Sequence, residues 1–364
     1  MEHHDGVTGD TRWLVDGMNL IGSRPDRWGN DPDLYDASFK DTISGFLTQR
    51  GDIDAATFEN TLWSFDRWCF HVPTDPPTIF LDTRTQREYD SPEGAARLIG
   101  HAGRKATLAA VERAGHQPGH PLILVSPVPV YGLALQERAQ KFLKVMVGSY
   151  AIDLEEWQSN LQGLVDFMTF LIDELKLPSC LFISGDVHYG MNLTVAFSWK
   201  DKGLPITQLV SSSQKHSGVL SKTALNLLGK IVPNTHERIG WDRPPRSARS
   251  TAIQRLLHRP AHTDAWSEEA PVFLTPRRAQ QLGIQEPPDY REQRQYVPAS
   301  GPRTLTILGD NNVGLVSIMG DEVIHQLLCP TGGEVRLYTA TMRMRPTTPR
   351  AHQKRPDANA TGTV

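Results

Sequence analysis

An acid and an imidazole stand two positions apart in Gly185-Asp186-Val187-His188, directly after the apolar run Cys180-Leu181-Phe182-Ile183-Ser184. A carboxylate and a neutral imidazole both offer lone pairs, and together they suit a divalent metal such as zinc, manganese or iron. The plainer use of the pair is a turn-capping acid beside a polar loop histidine. His216, in Ser211-Ser212-Ser213-Gln214-Lys215-His216, follows another apolar run and could approach the same place; as a surface-loop residue it would simply be solvated. Four further histidines, His71, His101, His116 and His120, are scattered through turn-rich sequence, where solvation is expected. Ser126 lacks a Gly-x-Ser-x-Gly surround, so a nucleophile elbow is not indicated.

Elements must carry these groups. The short apolar runs Thr78-Ile79-Phe80-Leu81-Asp82 and Pro121-Leu122-Ile123-Leu124-Val125-Ser126 are bounded by turn residues and predict buried strands, as does Cys180–Ser184. A helix-like stretch covers roughly 92–115. The strongest helix signal runs from Asp153 to Lys176, with Leu154, Trp157, Leu161, Leu164, Val165, Met168, Leu171, Ile172 and Leu175 in one stripe; Asp153 caps it and Leu177-Pro178 ends it. Strands are predicted in 192–198 and 206–210, and again in four runs between 303 and 342, with Gly320-Asp321 and Gly332-Gly333 as hairpin turns. Asp310, Asn311 and Asn312 read as a tight turn. The order strand, helix, strand, then a strand cluster, predicts a mixed α/β fold. In such sheets functional groups gather at the carboxyl ends of strands, which is where Asp186 and His188 fall.

Several segments, in order along the chain, resemble the PhoD-like branch of the calcineurin-like metallophosphoesterases. Ser184-Gly185-Asp186-Val187-His188-Tyr189-Gly190 is similar to the last metal motif of that branch. Residues 81–90 (LDTRTQREYD) are similar to its Asp-Thr-Arg strand, 122–132 (LILVSPVPVYG) to its Ser-Pro-x-Pro strand end, and 153–157 (DLEEW) to its acidic-Trp helix start. Residues 209–218 (LVSSSQKHSG) and 308–318 (LGDNNVGLVSI) resemble its Ser-rich and Gly-Asn-Asn segments. The resemblance implies a four-layer sandwich of two mixed β-sheets flanked by helices, here partial, and a two-metal site hydrolysing phosphate mono- or diesters. It implies Asp186 and His188 as metal ligands for iron, manganese, zinc or calcium, and Arg84 as a clamp on the phosphate, since guanidinium binds phosphate through paired hydrogen bonds. The other reading of Arg84 is a salt bridge to Asp82 or a neighbour. Tyr189 would line the mouth of the site or simply pack.

The sequence departs from that family in its first part. Asp186-Val187-His188 is its one Asp-x-His, and residues 1–60 form an incomplete amino-terminal region lacking the earlier ligand motifs. Laid on the third-strand pattern, Arg12–Ile21 keeps Asp16 but has Met18 where a histidine is needed, and a thioether is a poor ligand for a hard centre. This leaves a chain matching the later part of such an enzyme, with impaired activity or none as the alternative. The same opening, TRWLVDGMNLIGSRPDRW, also resembles the first strand and loop of NYN-type, PIN-like ribonucleases, which would make Asp16 and Asn19 metal-site residues. The organisation expected is a phosphatase-like core over 61–232, a Pro/Arg-rich insertion over 233–303, further core strands over 304–345 and a disordered tail over 346–364.

Thirty-eight basic residues against 41 acidic give a formal charge of −3, so there is no strong nucleic-acid signal. The partner expected is a phosphate-ester substrate. Cys69, Cys180 and Cys329 are far apart and read as buried thiols. No apolar run reaches the ~20 residues that span a bilayer, and the opening residues carry no leader pattern, so a cytoplasmic chain is the expectation.

Overall fold

The computed structural model describes residues 11–15 (backbone only), 68–90, 95–133, 157, 160–187, 189–212, 234–241, 272–331 and 333–345, the side chains of 272, 273 and 331 excepted. The fold is mixed α/β. In chain order the strands are β1 (Thr11–Val15), β2 (Phe70–Val72), β3 (Thr78–Phe80), β4 (Glu88–Tyr89), β5 (Ala96–Arg97), β6 (Leu122–Ser126), β7 (Cys180–Ser184), β8 (Gly190–Trp199) and β9 (Lys202–Val210). They continue with β10 (Thr235–Trp241), β11 (Val272–Leu274), β12 (Tyr290–Tyr296), β13 (Ile307–Leu308), β14 (Val313–Met319), β15 (Glu322–Thr331) and β16 (Glu334–Arg343). The helices are α1 (His101–Arg113), α2 (Leu161–Asp173) and α3 (Pro276–Gln281).

A 10-stranded sheet runs β11-β10-β12-β8-β9-β7-β6-β3-β2, with β13 paired to β8, and a 4-stranded sheet runs β1-β14-β15-β16. In the large sheet β3, β6, β7 and β9 are mutually parallel, so their carboxyl ends share one edge. Period-two alternation decides which face each residue covers. Leu122, Leu124, Cys180 and Phe182 enter one core with Val111 of α1 and Leu164, Phe167, Met168 and Leu171 of α2. Ile123, Val125, Leu181 and Ile183 enter a second core against Val316, Val323, Leu327, Tyr338 and Met342 of the small sheet. Every residue of β6 and β7 is therefore buried, as apolar strands covered on both faces must be. The described layers are helices, large sheet and small sheet.

Helix α2 begins later than the apolar stripe predicts. Its N-cap is Asn160, whose side chain accepts from Gly163 N at 2.8 Å, while Asp153 lies outside the described residues. Trp157 is nonetheless buried, as that stripe requires. The stretch 233–303, expected as an insertion, contributes β10, β11 and β12 to the large sheet. Its β12 reads Tyr-Arg-Glu-Gln-Arg-Gln-Tyr, and the charged residues hide the strand alternation because Glu292 and Arg294 are themselves the buried face. The hairpin turn between β14 and β15 uses Gly320 at φ +61° and the next uses Gly333 at φ +93°, backbone conformations that glycine adopts without a Cβ clash. All three cysteines are free and buried, and burial pushes the Cys69 thiol up to about 11. Among the described residues no helix is long and apolar enough to cross a membrane.

Candidate functional site

The shared edge where β3, β6, β7 and β9 end carries Arg84, Ser126, Asp186 and Ser212 on the residues that follow each strand or close it. Asp82, just past β3, turns the chain: its Oδ1 accepts from Arg84 N at 2.9 Å and from Thr85 N at 2.8 Å, and its Oδ2 accepts from the Thr85 hydroxyl. This Asx-type turn uses both carboxylate oxygens of Asp82 and fixes the backbone from which the Arg84 side chain leaves. Arg84 then reaches across the sheet edge, Nη2 to Asp186 Oδ2 at 2.8 Å, a contact between residues 102 positions apart in the chain. Of the two expected uses of Arg84, the structure displays an ion pair, with Asp186 as partner.

Asp186 sits in the left-handed region at φ +58°. Aspartate tolerates that region better than most residues, yet a strand-end residue held there marks a backbone constrained by its surroundings. The constraints are visible on both sides: Gly185 N donates to Pro127 O at 3.3 Å, and Val187 N donates to Ser212 Oγ at 3.3 Å. His188 lies outside the described residues, as do Asp16, Asn19 and His216. Tyr189 is packed into the helix-side core.

Around this point the segments singled out in the sequence are tied to one another. Ser126 Oγ donates to Val128 O at 2.6 Å and accepts from the Trp157 indole at 3.3 Å, so the serine shapes its own strand end. Ser211 Oγ lies 2.8 Å from Asn312 Oδ1, and Asn312 Nδ2 donates to Ser212 O at 3.0 Å and to Asp310 O at 2.8 Å. Asn312 is thus more than a turn residue: it stitches the small sheet to the end of β9. Beneath it, His325 Nδ1 lies 2.5 Å from Asn192 Oδ1, and burial drives the His325 imidazole down to about 3, so it is neutral. The Ser184 hydroxyl is buried and has no hydrogen-bond partner among the described residues.

The remaining histidines divide. His101 and His120 are exposed as expected and His116 is half-buried, with His116 Nε2 2.9 Å from His120 O. His71 is buried instead, because it lies in β2 against the core rather than in a loop.

A second polar cluster lies under the loop after β6 and escaped the sequence reading. Arg294 pairs with Glu292 at essentially no exposure, Tyr290 donates to the same carboxylate, and Arg294 Nη1 donates to Gly132 O at 2.9 Å. Burial would raise the Glu292 carboxyl, but the guanidinium groups of Arg294 and Arg238 more than offset this and hold it below the usual range. The signal was present as charges on alternate residues of a strand, which a hydrophobicity pattern scores as surface.

As a metal centre the described donors fall short. Among the described residues no group of three His, Cys, Asp or Glu side chains comes together, and the one strand-end carboxylate available carries a guanidinium. Further donors would have to come from residues outside the described set or from elsewhere. What the described edge can do is present one cationic and one anionic group, side by side and half-exposed, over a rigid sheet end.

Neither a family model nor a curated protein matches the sequence. Among solved structures, one titled "Structure of PhoD" is similar, with 10% sequence identity and a TM-score of 0.37. The match covers 78% of this chain and 44% of that one, so this chain spans less than half the length of the protein it matches. A likeness that loose carries no argument about this chain, whose mixed α/β fold rests on its own strands and helices.

Proposed function

We propose that this chain is part of a metal-dependent phosphoesterase of the PhoD-like kind, with Asp186 and His188 on the metal side of the site and Arg84 on the phosphate side. The observation supporting it is that the family-like segments, scattered from residue 81 to residue 318, join into one hydrogen-bonded network at the strand ends. Residues 81–90 meet Asp186 through Arg84, 122–132 meet Gly185 and Trp157 through Pro127 and Ser126, and 209–218 meet Val187 and Asn312 through Ser212 and Ser211. Arg84 reaches the Asp186 carboxylate itself, and the other segments hold the backbone on either side of it.

A bound metal in such a site would polarise a phosphoryl oxygen and acidify a water. The chain's own part is narrower. Arg84 would hold the ester's anionic oxygens in a fixed orientation, and the turn built by Asp82 keeps that arginine in place. Phosphomonoesters and phosphodiesters both present such oxygens.

Elemental mass spectrometry on the purified chain, beside an Asp186→Asn/His188→Ala variant, tests the reading. Metal bound by the parent and lost in the variant is expected, with hydrolysis of a nitrophenyl phosphate following the metal. Metal near zero in both proteins would end it. A non-catalytic relative is then the reading that remains, and the Arg84–Asp186 pair favours it, because a guanidinium already neutralises the carboxylate. The NYN-type ribonuclease reading rests on Asp16 and Asn19, and β1, which precedes them, pairs antiparallel with β14 at the edge of the small sheet.

A further inference from the structure

The edge strand β16 is packed over its second half and bare over its first. Tyr338, Ala340 and Met342 enter the second core, whereas Glu334, Val335, Arg336 and Leu337 are all exposed, Val335 at 64% and Leu337 at 43%. One long side of β16 pairs with β15. On the other side the described residues place a single bridge, Ser300 to Thr339, in which each backbone N–H donates to the other's carbonyl at 2.8 Å. Thr339 therefore points its N–H and C=O away from β15, and by the two-residue period so do Leu337 and Val335. The bridging segment cannot continue down the edge, because the residue that would donate next is Pro302, which has no N–H. Gly301 lies against the Leu337 carbonyl, where a Cβ would stand 2.5 Å away. The open template is thus Glu334 to Leu337.

Charged residues protect an exposed edge because a second copy of the strand brings the same charges to it. Strand β16 carries one charge of each sign, Glu334 and Arg336, on either side of Val335. Turned antiparallel about Val335, the strand sets Val335 opposite its own copy and Glu334 opposite the partner's Arg336, with the reciprocal pair beside it. A register centred on Arg336 would instead put two guanidinium groups face to face, which disfavours it. On the opposite face of the sheet Leu328 and Pro330 of β15 stand beside Leu337 and Val335, so an apolar row would continue across the junction. We propose that β16 is the contact through which two copies of this chain associate, antiparallel about Val335, joining their small sheets into one. Backbone hydrogen bonds between the two Val335 residues supply the ladder, the apolar row supplies burial, and the two Glu334–Arg336 pairs fix the register. A contact this short is weak, and its exposed charge pairs loosen in salt.

Sedimentation velocity on the whole chain at low salt, followed from micromolar concentration to about 0.5 mM, tests the contact. The parent should form a concentration-dependent dimer that dissociates as salt is added. Glu334→Arg and Arg336→Glu, made separately, each set like charges opposite one another and should weaken the dimer about 10-fold. An equal mixture of these two variants should dimerise again, since each supplies the charges the other lacks. The double swap Glu334→Arg/Arg336→Glu should do so by itself. Such recovery excludes misfolding as the cause of the loss, because a misfolded variant is not rescued by its complement. A parent that stays monomeric throughout overturns the proposal and leaves the edge to a strand of a different protein. A parent dimer that both single variants leave unchanged overturns it as well, since the copies then meet elsewhere. So does a mixture that fails to restore the dimer.

Discussion

Gln208 hydrogen-bonds both backbone groups of Tyr131, its Oε1 accepting from Tyr131 N at 3.0 Å and its Nε2 donating to Tyr131 O at 2.8 Å. A side chain on β9 thereby does for the loop after β6 what a neighbouring strand would do. Both Gln208 and Tyr131 are fully buried. Replacing Gln208 with leucine leaves a buried N–H and a buried C=O without partners, each costing about 1–3 kcal/mol. The expected loss is thus about 2–6 kcal/mol in urea denaturation. A loss under about 0.5 kcal/mol would mean water or another side chain satisfies Tyr131 in its place.

The same loop is held from β12. Arg294→Met removes the directly paired counter-charge of Glu292 and leaves only Arg238 to offset a buried carboxylate, for which about 3–5 kcal/mol is the expected cost. Combining it with Glu292→Leu should restore much of the loss, since two apolar residues of similar volume need no partner. Additive losses in the double variant would show that the hydrogen bond to Gly132 O, rather than the ion pair, is the contribution that matters.

Acid should destabilise the fold through one buried and one half-buried imidazole, His325 and His236. Burial lowers His325 from its ordinary 6.5 to about 3, and burial followed by Arg294 lowers His236 to about 4. Both folded values lie below the unfolded one, so the unfolded chain binds more protons between them. The stabilising contribution of the neutral rings is complete above pH 6.5 and declines as pH falls towards 4 for His236 and towards 3 for His325. His325→Gln can still donate to Asn192 but cannot titrate, so unfolding free energy should fall less steeply between pH 6.5 and 4 than in the parent. Parallel curves would remove His325 from the account.

Gly314 is needed for closeness rather than for its dihedral. A Cβ there would stand 2.7 Å from His325 Nε2 and 2.8 Å from Ser211 Cβ, where the small sheet meets the end of β9. Gly314→Ala should cost about 1–3 kcal/mol, as overpacking does. Gly320→Ala makes the contrasting control: nothing lies within 4 Å, but φ is +61°, so its cost is backbone strain alone. Loss of the Ser211–Asn312 contact in the first variant, seen as earlier hydrogen exchange at β14, would separate the two causes.

Strands β3, β6 and β7 were legible in the sequence because each is covered on both faces, which leaves a short unbroken apolar run. The body of α2 was legible because the stripe of Leu164, Val165, Met168 and Leu171 meets one core. The start of α2 was not, since Asp153 and Asn160 are both competent caps and the choice depends on what Asn160 also reaches, Asp90 Oδ2 at 3.1 Å and Ala95 O at 2.9 Å. Strand β12 was hidden because its inward residues are charged, and they are tolerable there only because Glu292, Arg294 and Tyr290 satisfy one another.

By itself the sequence determined the local pieces: alternation and run length for strands, spacing for helices, and a strand-end Asp-x-His with its possible chemistry. Only the tertiary structure decided which distant pieces touch. Arg84 and Asp186 are 102 positions apart and neither names the other, because an ion pair leaves no periodic trace in a chain. Their meeting depends on β3 and β7 running parallel on either side of β6, so that both strands deliver their ends to one edge. Pairing order across a sheet is set by long-range burial, and burial is a property of the whole fold.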